Sequence, residues 1–261
     1  MTERKYCIVH REGLITTVTI NRPEVLNALH YAAHEELSSV IDEFGRDAEQ
    51  LVLILTAAGD RAFCVGNDLK VTAADGVLTP EPETGFAGLT ARYDLAKPVI
   101  AAVNGIALGG GFETVLACDI VIASENASFA FPEPRVGLAA MAGGLLRLPR
   151  AIGEKRAMEM ILTSRRVSAP EGQDLGFVNQ VVAPDALLSA AREVAQSICQ
   201  SGPLSIRASK QVVQMAASMP LPDAMIAQFQ FPAVRALYQS EDFKEGPRAF
   251  AEKRPPRWTG R

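Results

Sequence analysis

The chain has 261 residues, 48% of them hydrophobic, and a formal net charge of −4. That is enough apolar material for one large core, which excludes a disordered chain, and the acidic balance gives no electrostatic reason to expect nucleic acid. The N-terminal MTERKYCIVH carries no long apolar run. No stretch approaches the ~20 apolar residues of a membrane helix, so a cytoplasmic protein with no membrane partner is expected. Cys7, Cys64, Cys118 and Cys199 are scattered and form no CxxC pair, which fits a reducing compartment rather than disulfides or zinc. His30 and His34 are four apart and would share a helical face. No nearby acid or Cys completes a metal site, and a solvated face is expected. With His10 these are the only histidines, so a Ser-His-Asp mechanism is disfavoured.

In chain order, Tyr6–Val9 and Leu14–Ile20 flank Arg11-Glu12-Gly13 and read as a hairpin. Residues 28–45 follow a helical period through Leu29, Leu37, Val40, Ile41 and Phe44. Leu51–Thr56 is a continuous apolar run, the pattern of a strand covered on both faces. Residues 62–68 lead into a further helix with Asp68 as its N-terminal acid. Residues 72–90, TAADGVLTPEPETGFAGLT, are the least regular, and read either as a loop that shapes a pocket or as a plain surface connection. Pro98–Val103 is a second apolar strand, ended by the Asn104-Gly105 turn and followed by a helix to about Ala117. Short strands are predicted at Asp119–Ala123 and Ala127–Phe131, helices at Ala151–Leu162 and Pro170–Leu175, and a strand at Phe177–Val182. Helices alone follow, at 185–200, 203–218, 222–239 and 241–252. The expectation is an α/β core over 1–195 and a helical C-terminal region over 196–261. The recurrent strand-strand-helix order is that of a spiral stack, with no repeat visible as identity.

Lys97–Asp119 carries the clearest chemistry. Gly109, Gly110 and Gly111 precede a helix, where backbone N–H groups lack intrahelical partners and the helix dipole adds partial positive charge. No Lys-Ser or Lys-Thr follows and GxGxxG is not matched, so neither a phosphate loop nor a dinucleotide site fits. On the residues alone, a close helix–strand contact explains the triplet as well as an anion site does. Glu113 lies one turn into the helix among apolar neighbours, and Glu133 stands between Pro132 and Pro134. A surface or capping acid is the bland reading of each. Together, two carboxylates beside a bare backbone fit chemistry next to a thioester carbonyl. One acid moves a proton while N–H groups hold an enolate.

These motifs resemble the crotonase, or enoyl-CoA hydratase/isomerase, superfamily. The matching segments are Asn21-Arg22-Pro23 with Asn27-Ala28-Leu29, Ala62-Phe63-Cys64 with Gly66-Asn67-Asp68-Leu69, and Lys97–Asp119. Phe131-Pro132-Glu133 with Gly137, Ala142-Gly143-Gly144 with Arg147-Leu148, and Gly246–Arg254 complete the set. They run in family order over nearly the whole chain. Within the superfamily, Gly85–Thr90, Asn126–Ala130 and Ser240–Arg261 look like its carnitinyl-CoA dehydratase branch.

The resemblance implies a spiral of ββα units with a C-terminal α-helical region that packs a homotrimer or a dimer of trimers. It implies an oxyanion hole made by the backbone N–H of Asn67 and of Gly110, where a side chain would crowd the thioester oxygen. Glu113 would activate the water that attacks the β-carbon, and Glu133 would give the α-carbon its proton. Coenzyme A, part of the acyl-CoA substrate rather than a resident cofactor, would pass Glu24, Val25, Leu26 and Ala28. Its adenine would lie near Asp68, Leu69 and Lys70. Lys253 would reach the CoA phosphates from a neighbouring subunit, a solvated lysine being the bland reading. Three departures stand out. Glu24 replaces a common basic residue, Pro134 follows Glu133, and Met141 stands at the acyl pocket where the carnitinyl branch has an acid, which disfavours carnitine itself. The function read from this is reversible hydration of a trans-2-enoyl-CoA. The alternatives are a carnitinyl-CoA dehydratase, another crotonase-type isomerase, or a non-catalytic acyl-CoA binder.

Overall fold

The computed structural model describes residues 4–70 and 80–261. The expected irregular segment therefore falls partly outside the described residues, at 72–79. Strands β1 (Cys7–Glu12) and β2 (Ile15–Ile20) form the expected hairpin. They begin a six-stranded sheet completed by β3 (Val52–Ala57), β5 (Val99–Val103), β7 (Ile120–Ser124) and β10 (Gln180–Val182), parallel from β2 onward. A second sheet has the order β4 (Ala62–Cys64), β6 (Ile106–Leu108), β8 (Ser128–Ala130) and β9 (Val167–Ser168). The chain lays one strand in the first sheet and the next in the second, turn after turn, which is the ββα spiral.

Why the first sheet forms is legible in its side chains. Along β3 every residue is buried, and alternate residues serve two cores. Leu53 and Leu55 face the interior with Val99, Ala101 and Phe112. Val52 and Ile54 face the opposite way with Ile100 and Ile122, under the Leu187–Cys199 helix. The expected 195/196 division falls inside that helix. Asparagines tie successive turns together. Asn27 Nδ2 donates to Ala58 O at 3.0 Å and Ala62 O at 2.8 Å, and Asn104 Nδ2 donates to Ala57 O at 3.0 Å and Gly59 O at 2.7 Å.

The Tyr31–Arg46 helix packs on the spiral through Leu37, Val40, Ile41 and Phe44. Lys97 is buried at its C-terminal end, donating to the carbonyls of Phe44 and Asp47 at 2.6 Å each. Cations are favoured there by the exposed helix carbonyls. Burial lowers the Lys97 pKa to about 8, with Arg207 repelling its charge.

Three differences from the sequence reading have simple causes. The strands at 62–64 and 106–108 are too short to show a period. The helix expected over 151–162 begins at Glu154 instead, because Ala151 and Ile152 end a separate helix, Gly144–Ile152, parted from it at Gly153 with φ +84°. The 222–239 helix is also two, Leu221–Ala227 and Pro232–Gln239, because Pro232 has no N–H to continue the ladder. Among the described residues no helix is long and apolar enough to cross a membrane.

Candidate active site

Two loops carry the backbone donors. Leu29 pairs with the first: its N–H donates to Gly66 O at 2.9 Å, and its carbonyl accepts from Asp68 N at 2.8 Å. The Asn67 N–H between them has no acceptor among the described residues. Gly110 opens the Gly110–Ala117 helix, so its N–H has no intrahelical acceptor either. A Cβ at Gly66 would sit 3.4 Å from the Gly110 nitrogen, so the loops lie side by side. Two unused N–H groups thus stand together at a helix start, an arrangement able to hold an oxyanion.

The reason for glycine at 110 differs from the one expected. A Cβ there would run into the ring of Phe86 rather than into solvent-filled space. Packing alone demands glycine. At Gly109, φ is +54° and a Cβ would lie 2.6 Å from Glu133 Oε1, which shows how closely the second acid approaches the donor loop.

Glu113 is 3% exposed, not a surface acid. Its Oε1 accepts the Gly144 N–H at 2.8 Å. Burial is the main cause that raises its pKa to about 7, and the negative charges of Glu133 and Glu81 add to it. Glu133 opens the short 3-10 turn Glu133–Val136. Its Oε2 is buried without a hydrogen-bond partner, and burial raises its pKa as well. Two carboxyls whose pKa values burial raises, with like charges opposed, are suited to share acid and base roles.

Asn67, Gly110, Glu113 and Glu133 all line one cavity of about 610 Å³. Leu69, Glu81, Leu138 and Met141 form its more exposed part, and Met141 is 79% exposed there. The other residues expected to meet coenzyme A are less uniform. Ala28 is buried, and Arg22 donates to its carbonyl. Asp68 is 3.3 Å from the same guanidinium, so its carboxylate already has a partner. Glu24, Val25 and Leu26 form and follow the 3-10 turn Pro23–Val25, beside that ion pair but outside the cavity. Lys70 also lies outside it. Lys253 follows the final helix, Glu241–Ala251, with φ +54°, and does not join the cavity within this chain.

The sequence reading missed Phe86, Glu81 and the anchoring N–H of Gly144. Phe86 and Glu81 sat in the stretch with no period, and a backbone donor leaves no residue-type signal. It also misplaced His34. The expected solvated face is wrong: His34 is fully buried, because its helix turns this residue inward with Leu37 and Ile41.

The chain is similar to known proteins over nearly its whole length. A family model described as enoyl-CoA hydratase/isomerase matches residues 10–261. The carnitinyl-CoA dehydratase of Citrobacter koseri is 43% identical over 256 residues, covering 96% of this chain and 97% of that protein. The carnitinyl-CoA dehydratase of Salmonella typhi has the same identity and coverage. Among solved structures, an enoyl-CoA hydratase of Mycobacterium marinum superposes with a TM-score of 0.91 at 40% identity, over 98% of this chain and 99% of that one. One from Mycobacterium tuberculosis gives 0.91 at 38% identity, with the same coverage.

Proposed function

The chain belongs to the enoyl-CoA hydratase/isomerase family, and from that premise we propose that it adds water reversibly to a trans-2-enoyl-CoA thioester. The observation that carries the reading is the convergence of two carboxyls and two unused N–H groups on one cavity. Glu113 takes a proton from water as its oxygen bonds to the β-carbon. The electron pair of the double bond moves onto the thioester oxygen, held by the N–H groups of Asn67 and Gly110. Glu133 then gives its proton to the α-carbon, and the carbonyl reforms. The proton balance closes when Glu113 passes its proton on and Glu133 regains one. Each donor is worth roughly 3 kcal/mol in such a transition state.

Coenzyme A then runs past Glu24, Val25, Leu26 and Ala28, with adenine near Asp68, Leu69 and Lys70, and Lys253 meets its phosphates from a neighbouring subunit. A homotrimer or a dimer of trimers in the cytoplasm is part of the same reading. What supports the assembly is apolar side chains left uncovered on the last helices, with Val213, Leu221, Ile226 and Phe250 each more than 70% exposed.

The test is hydration of crotonyl-CoA and longer enoyl-CoA thioesters, followed by loss of the conjugated thioester absorbance. Wild-type turnover with severe loss in both Glu113→Gln and Glu133→Gln supports the proposal; full activity in either variant overturns it. Tight thioester binding without turnover at any chain length means a binder instead. A second reading, dehydration of carnitinyl-CoA, draws on the names of the curated relatives and on Glu81, which supplies a carboxylate to the cavity that Met141 does not. Assaying the two thioesters side by side decides between them.

A further inference from the structure

The Tyr31–Arg46 helix brings a histidine behind the donor loop. His34 Nδ1 accepts the Ala87 N–H at 3.0 Å, and its ring stands edge-on to Phe86 with centroids 4.5 Å apart. A backbone N–H can only donate, so Nδ1 carries no proton in the neutral ring, and the ring hydrogen is on Nε2. Burial keeps the ring neutral, lowering its pKa to about 4. Nε2 is itself buried without a hydrogen-bond partner, and so is Asn67 Oδ1. Asn67 is the side chain near enough to His34 to oppose the effect of burial on its ring. A buried donor and a buried acceptor, each unpartnered and close to the other, are complementary. An Asn67 whose Oδ1 faces His34 turns its Nδ2 away, and Asn67 lines the cavity.

We propose that His34 is a positioning residue: its Nε2–H holds Asn67 Oδ1, seats the donor loop, and presents the Asn67 amide N–H2 to the acyl group. The matching substrate is an acyl thioester with an oxygen acceptor close to its reacting carbons, such as the hydroxyl that hydration leaves. The proposal deepens the hydratase reading and rests on it for its kinetic part only.

Two measurements test it. Long-range ¹H–¹⁵N spectra of the labelled full-length protein at neutral pH report the tautomer, with His34→Gln assigning the resonance by its absence. An Nε2–H tautomer is expected, and a proton on Nδ1 overturns the proposal whether or not the enzyme turns over. The kinetic test uses His34→Leu, which keeps bulk and loses both hydrogen bonds, and His34→Gln, which can keep both. Leu lowers kcat/KM on crotonyl-CoA about tenfold, and Gln restores most of it. In an Asn67→Ala background the His34→Leu change costs nothing further. Equal losses in both backgrounds, or a lowered melting point with unchanged kcat/KM, leave His34 a purely structural residue and overturn the proposal. Should His34→Leu not fold, Asn67→Asp decides, since it keeps the acceptor for His34 and loses the donor to substrate. Wild-type melting with kcat/KM as low as Asn67→Ala is expected, and wild-type kcat/KM refutes the idea. An inactive wild type with the expected tautomer points to failure of the hydratase reading alone.

Discussion

The inner and outer ends of the cavity are built by opposite rules. At the inner end every group is fixed by a neighbour it cannot leave. Gly110 is pressed by Phe86, Glu113 is held by Gly144, and Glu133 lies against Gly109. At the outer end Leu69, Glu81, Leu138 and Met141 line the same cavity but remain exposed. The inner end can place reacting atoms to a fraction of an ångström, which positioned proton transfer and oxyanion binding require. The outer end can change without disturbing the fold, and it is where substrates of one chemistry would be told apart. Substitutions at the two ends should therefore fail in different ways.

The largest effect is expected at Gly110. Valine there displaces Phe86, and overpacking of this kind costs about 1–3 kcal/mol of stability. Gly110→Val should both melt earlier and lose turnover beyond detection, as thermal unfolding and a crotonyl-CoA assay would record. A variant that melts like wild type yet does not turn over would return the explanation to crowding of the thioester oxygen alone.

Next come the acids. Glu133→Gln keeps shape and loses the transferable proton. Removing a general acid or base costs about a hundredfold to ten-thousandfold, and kcat should fall in that range with little change in KM. Glu113→Gln should match it. It can still accept the Gly144 N–H through its amide oxygen, so its fold should survive.

The pH dependence of Glu113 separates catalysis from stability. Its pKa stands near 7 in the folded protein against 4.5 ordinarily, chiefly through burial. As a base it must be ionised, so kcat/KM for hydration should fall tenfold per unit below about pH 7. Stability runs the other way. Between pH 4.5 and about 7 the folded state binds more protons at Glu113 than the unfolded chain does, so that site's contribution to stability declines as pH rises through this window. Glu113→Gln should remove this slope from the melting curve, and an unchanged slope would assign it to Glu133.

How much of this was legible in sequence follows the same inner and outer division. Gly109–Gly111, Glu113 and Glu133 could be read because bare backbone and isolated acids are unusual where they stand. The two-sided burial of β3 and β5 was equally plain from continuous apolar runs. Phe86 could not be read: its role is a contact with Gly110, far along the chain, and its own segment has no period. His34 failed for a different reason. Its spacing from His30 was read as a solvated face, whereas its spacing from Leu37 and Ile41, three and seven residues on, puts it on the apolar stripe. The resemblance supplied the order of motifs, and only packing supplied the reasons for them.

The smallest effect belongs to Met141, and it tests the outer end. At 79% exposure its side chain adds little to stability, so Met141→Ala should shift the melting point hardly at all, within about 0.5 kcal/mol. Turnover of crotonyl-CoA should stay near wild type, because the four-carbon acyl group need not extend past the inner end. Longer acyl chains should bind less well, by a few-fold in KM, as an apolar contact worth up to about 1 kcal/mol is lost. Met141→Asp carries the argument further. It adds a carboxylate to Glu81 at the outer end of the cavity, which favours a cationic acyl group and penalises an aliphatic one. If the aspartate variant gains carnitinyl-CoA turnover while Glu81→Gln removes that gain, the outer end sets the substrate and the inner end sets the reaction. If instead Met141→Ala slows crotonyl-CoA as severely as the acid variants do, the two ends are not separable and the division fails.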